Sequence, residues 1–127
     1  MHGNESSEDY LETILVLSKR LPVVRSIDIA TELNYSKPSV SIAMKNLREK
    51  GHIEVNPSGF ITLTESGLRI ASSIYERHTF ISNWLISLGV SEKTALADAC
   101  NMEHQISEES FNAMKHFIET HHSQELS

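Results

Sequence analysis

Three consecutive segments decide the fold: Ser26-Ile-Asp-Ile-Ala-Thr-Glu-Leu33, then Asn34-Tyr35, then Ser36-Lys-Pro-Ser-Val-Ser-Ile-Ala-Met-Lys-Asn-Leu-Arg-Glu-Lys-Gly51. Ser26 suits the N-cap of a first helix over Ile27–Leu33, and Asn34-Tyr35 makes a turn. Ser36 suits the cap of a second helix. Pro38 is tolerated in its first turn, where the missing N–H would lack an intrahelical partner. Val40, Ala43, Met44 and Leu47 recur at helical spacing, and Gly51 ends the helix. Small Ala30 allows the two helices to cross closely.

The period then changes. Ile53-Glu54-Val55 and Phe60-Ile61-Thr62-Leu63 read as short strands around Asn56-Pro57-Ser58-Gly59. Upstream, Tyr10, Leu11, Ile14, Leu15 and Leu17 form a helical stripe over residues 7–20, with Ser6 or Ser7 as its cap and Pro22 as its stop. Downstream, Thr64 caps a long helix that reaches about Leu88. Ser91 opens a helix over 92–105, and Ser107 opens a last one ending near Thr120. Helix, helix, turn, helix, hairpin is the order of a winged helix-turn-helix. The expected architecture is mainly α with a small β-hairpin, a winged helix-turn-helix over residues 1–72 followed by a helical dimerisation region over 73–127.

The 127 residues carry a net charge of -6, but the charge is unevenly placed. Residues 19–77 hold nine basic and six acidic residues, whereas both flanks are acidic. A basic middle suits phosphate contacts. On the second helix, Lys37, Ser39 and Ser41 are the candidates for reading base edges, and Lys45 and Arg48 for phosphates. The hairpin, with His52 and Ser58, would lie along the DNA backbone or minor groove. A polar helix face is also what any solvated helix shows; the ordered set of caps and periods carries the DNA-binding expectation.

Candidate metal donors lie in three segments. Asp9 and Glu12 are spaced i, i+3 on the first helix, and His78 follows Arg77 on the long helix. Cys100, Glu103 and His104 are spaced i, i+3, i+4, which on a helix puts thiolate, carboxylate and imidazole on one face. No single pair is specific. Cys100 is the only cysteine, so it forms no disulfide within the chain. Its soft sulfur favours iron, zinc or copper over magnesium or calcium.

With these residues in view, the chain resembles the DtxR/MntR family of iron- and manganese-dependent repressors. The marks are Glu8-Asp-Tyr-Leu-Glu12, the helices Ile27–Leu47, Thr64-x-x-Gly67, Arg77-His78 and Ala99-Cys-Asn-Met-Glu-His-Gln-Ile-Ser107. The resemblance implies a metal-responsive repressor with ligands at Asp9, Glu12, His78, Cys100, Glu103 and His104. Asp9 is what the manganese branch carries, whereas Cys100 is what the iron branch carries. Fe(II) is the expected corepressor and Mn(II) the second choice, with other divalent transition metals able to bind in vitro. Ser82 and Leu96 stand where iron regulators build an ancillary site, and neither supports one. The resemblance also implies a homodimer on a double-stranded DNA operator controlling metal-uptake genes. No signal peptide and no membrane span are read, so the expected location is cytoplasmic. No nucleophile constellation or phosphate loop points to an enzyme or a small-molecule substrate. The competing reading is a winged-helix regulator answering to a non-metal effector.

Overall fold

The computed structural model describes residues 2–126, and side chains from residue 7 to residue 121. Among the described residues six helices and one hairpin follow in the order α1 (His2–Arg20), α2 (Ser26–Leu33), α3 (Lys37–Glu49), β1 (Ile53–Val55), β2 (Ile61–Leu63), α4 (Glu65–Ser87), α5 (Glu92–Met102) and α6 (Glu108–Leu126). The chain divides into two compact units, residues 1–75 and 76–127, and the division falls inside α4. None of the described helices is long and apolar enough to cross a membrane.

In the first unit α1 begins at His2, so Ser6 and Ser7 lie within it instead of capping it. Its stripe of Tyr10, Leu11, Ile14, Leu15 and Leu17 is buried, as are Ile29 and Ala30 of α2 and Val40, Met44 and Leu47 of α3. Each large aliphatic side chain so placed contributes about 1.5–3 kcal/mol. Burial also raises the Tyr10 phenol above its ordinary pKa, helped by Tyr35 and Asp9.

Capping is local and mostly as read. The Ser36 hydroxyl accepts from the Ser39 N–H at 3.3 Å, starting α3. At α2 the N-cap is Arg25, one residue earlier than expected. The Asp28 carboxylate reaches back to accept the Arg25 N–H at 2.9 Å, which satisfies an otherwise orphaned donor. Asn34 takes the left-handed conformation that closes α2 (φ 57°, ψ 44°), and its short polar side chain tolerates this.

The hairpin pairs Ile53 with Leu63 and Val55 with Ile61. Asn56 builds its turn: the side-chain oxygen accepts from the Ser58 and Phe60 N–H groups, both at 2.9 Å, and Gly59 supplies the left-handed residue (φ 82°). The wing is tied down by the Ile61 N–H donating to the Val24 carbonyl at 2.8 Å and by the Arg25 guanidinium 4.9 Å over the Phe60 ring.

In the second unit Ile81, Ala99 and Phe111 form the buried centre, and Phe80 meets Phe111 edge-on at 5.6 Å. Ser91 caps α5. That helix stops at Met102, three residues short of the expected end, and α6 continues to Leu126, past the expected end near Thr120. Lys115 of α6 donates to Glu76 of α4 at 2.8 Å, and this hydrogen bond raises the lysine pKa.

Candidate functional site

The second unit gathers a cluster around one carboxylate. Glu103 follows α5 as its C-cap, with its N–H still donating to the Ala99 carbonyl. Its side chain is fully buried. His78, half-way along α4, places Nδ1 3.0 Å from Oε2 of Glu103. His104 places Nε2 3.4 Å from Oε1, an ion-pair distance without hydrogen-bond geometry. Among the described residues Oε1 therefore accepts no hydrogen bond. A buried acceptor left so is costly, typically about 1–3 kcal/mol, unless a bound ion or water meets it. Oxygen and imidazole nitrogen donors in this arrangement suit a divalent transition-metal ion.

Arg77, next to His78, is a member of this cluster that sequence reasoning did not single out as a contact. Its Nη1 donates to the Glu103 carbonyl at 3.1 Å and to the Ile106 carbonyl at 2.9 Å, and its guanidinium lies 5.5 Å over the Phe111 ring. One side chain thus pins the turn between α5 and α6 that carries Glu103 and His104. The partners lie 26 and 29 residues away, so no local signal reports them.

Cys100 lies in the last full turn of α5 and is exposed, whereas Glu103 is buried. Members of the expected trio therefore lie in two environments, although Glu103 keeps the helical backbone conformation. Asp9 and Glu12 sit one turn apart on α1 of the first unit, each half-buried. Ser82, at the ancillary-site position, is buried and donates to the Thr79 carbonyl, while Leu96 is largely exposed.

On α3 the five nucleic-acid candidates Lys37, Ser39, Ser41, Lys45 and Arg48 are all exposed. Lys37, Ser41, Lys45 and Arg48 recur at i, i+4, i+8 and i+11 and so share one stripe. Ser39 departs from it. It lies on another side of the helix, and its hydroxyl is engaged by the capping hydroxyl of Ser36 at 2.8 Å. His52 is likewise occupied, with Nδ1 3.0 Å from the Ser66 hydroxyl.

Residues 4–59 match the iron-dependent repressor N-terminal DNA-binding domain, and residues 64–124 match the iron-dependent repressor metal-binding and dimerisation domain. The transcriptional regulator MntR of Escherichia coli O6:H1 is 38% identical over 120 residues, covering 94% of this chain and 77% of its own. An uncharacterised helix-turn-helix regulator of Methanocaldococcus jannaschii is 36% identical over 118 residues, 91% of this chain and 94% of its own. The solved structure of the manganese regulator SloR superposes with a TM-score of 0.78 at 28% identity over 89% of this chain, which spans 53% of that protein's length. The chain belongs to the iron-dependent repressor (DtxR/MntR) family of metal-dependent transcriptional regulators.

Proposed function

We propose that the chain is a repressor with Mn(II) as corepressor, and that Asp9, Glu12, His78, Cys100, Glu103 and His104 are its ligands. The observation that carries the reading is the buried Glu103 carboxylate, flanked by two imidazoles, with one oxygen accepting no hydrogen bond among the described residues. Three carboxylates in the set favour a hard ion, and the relatives named MntR point the same way. The Cys100 sulfur supports a second reading, in which Fe(II) is the signal. The ion supplies positive charge that the buried carboxylate otherwise lacks. It acts on DNA binding only through its higher affinity for the binding-competent state.

DNA is held by α3, with Lys37, Ser41, Lys45 and Arg48 facing it and Ser39 supporting the helix start. The protein acts as a homodimer on an operator of two half-sites controlling metal-uptake genes. Leu88, Leu96 and Phe117, exposed in the single chain at 64%, 40% and 59%, are available to a second copy.

DNA binding measured by fluorescence anisotropy under anaerobic conditions, with Mn(II) and Fe(II) titrated separately, tests the reading. The expected result is a gain in DNA affinity of about 5- to 150-fold on metal addition. The gain should fade as pH falls, because imidazole and thiol must lose their protons to ligate. Equal affinity with and without either metal removes the reading, and activation by Fe(II) alone moves it to iron.

Arg77→Ala is expected to weaken Mn(II) binding about 10- to 100-fold by releasing the turn that positions Glu103 and His104. Calorimetric titration measures this. Arg77→Lys, which keeps one donor group, should recover part of the loss. Unchanged metal affinity in Arg77→Ala would reduce the clamp to a packing feature.

A further inference from the structure

Ile42 is 63% exposed, more than any other large apolar residue described in the first unit. It sits in the middle of α3. Val40, Met44 and Leu47 turn to the core, so residue 42 faces outward. Its neighbours one turn away, Pro38, Ser39, Lys45 and Asn46, are all exposed. Single exposed aliphatic residues are common and need no explanation. This one is set apart by its place, on the outward side of a helix whose adjoining stripe carries Lys37, Lys45 and Arg48. That positive stripe is complementary to a phosphate backbone.

A branched aliphatic side chain neither donates nor accepts a hydrogen bond, so it cannot read the purine N7, O6 or N6 positions. The apolar feature of a major groove is the C5-methyl group of thymine. We propose that Ile42 is a specificity-determining residue that packs against a thymine methyl in each operator half-site. The chain then selects a T·A pair at that position by apolar contact. The inference rests on α3 being the major-groove helix, and the test separates the two.

The Mn(II)-loaded full-length protein is first used to select its preferred duplex from a random-sequence library. Thymines of that duplex are then replaced one at a time by uracil, which removes the methyl and leaves the pairing edge intact. The expected result is one position per half-site where uracil raises Kd about fourfold, the equivalent of roughly 0.8 kcal/mol for one methyl group. Ile42→Ser should bind the thymine and uracil duplexes equally. Lys45→Ala should lose affinity for all sequences yet keep the thymine preference. If uracil is tolerated everywhere, or Ile42→Ser keeps the preference, Ile42 does not read thymine while α3 remains the DNA helix. If no sequence is enriched, or Lys45→Ala and Arg48→Ala bind DNA as the parent does, the reading of α3 falls and Ile42 with it. If Ile42→Ser dissociates the protein in sedimentation velocity with thymine preference intact, Ile42 packs on a second copy and the proposal is overturned.

Discussion

Glu103→Met is expected to abolish Mn(II) binding and at the same time to stabilise the metal-free protein. The two effects share one cause. The Glu103 side chain is fully buried, and among the described residues its Oε1 accepts no hydrogen bond. Its contact to His78 at 3.0 Å serves only the other oxygen. A buried carboxylate so placed costs the metal-free fold desolvation. Methionine has a similar volume, fills the space and has no charge to desolvate. His78, whose side chain is 26% exposed, can exchange the carboxylate for water. The unfolding free energy in chelator should rise by about 1–3 kcal/mol. Metal affinity should fall by more than the roughly 10- to 100-fold typical of losing a mere outer partner of a ligand. Denaturant unfolding in chelator and calorimetric Mn(II) titration check both halves. A variant that still binds Mn(II) as the parent does would remove Glu103 from the ligand set. One that is destabilised in chelator would show that the His78 contact outweighs the burial cost.

Gly67→Ala is expected to destabilise the first unit, although a glycine-to-alanine change within a helix ordinarily gains about 0.5–1 kcal/mol. Gly67 lies in the first turn of α4, where its N–H donates to the Thr64 hydroxyl at 3.3 Å. A Cβ there would run into the backbone carbonyl of His52. That carbonyl already accepts the Thr64 N–H at 3.1 Å, so it cannot swing away without breaking the junction between the hairpin and α4. Overpacking against backbone should cost about 1–3 kcal/mol. The denaturation midpoint should drop with little change in slope. DNA affinity should fall with it, because the displaced segment leads straight into β1. A variant as stable as the parent, or more so, would show that the junction yields.

The parts legible in the sequence are those set by local chemistry. Ser36, Asn34, Gly51 and the Asn56–Gly59 turn act within a few residues, so α3 and the hairpin were readable closely, although β2 starts at Ile61 and not at Phe60. Element ends without such a signal were not. α1 starts five residues before its expected first residue, and α6 continues past Thr120, because no cap or breaker marks either point. At the site the residue types were legible and their surroundings were not. Glu103 and Cys100 share a helical spacing, yet α5 ends between them and one is buried while the other is exposed. Ser39 was read as a base reader from its residue type, and its hydrogen bond from the Ser36 hydroxyl is invisible in composition. Arg77 was visible as a family mark, but its two carbonyl partners become neighbours only when α4 and the α5–α6 turn pack.

The division of the chain between Tyr75 and Glu76 also sorts its chromophores. All three tyrosines, Tyr10, Tyr35 and Tyr75, fall in the first unit, and Trp84, the single tryptophan, falls in the second. Tryptophan emission therefore follows the unit that holds His78 and Glu103, while tyrosine absorbance follows the helix-turn-helix. Each half carries its own optical label without any engineered probe. Melting curves recorded at the two signals will coincide if the units unfold as one and separate if they do not.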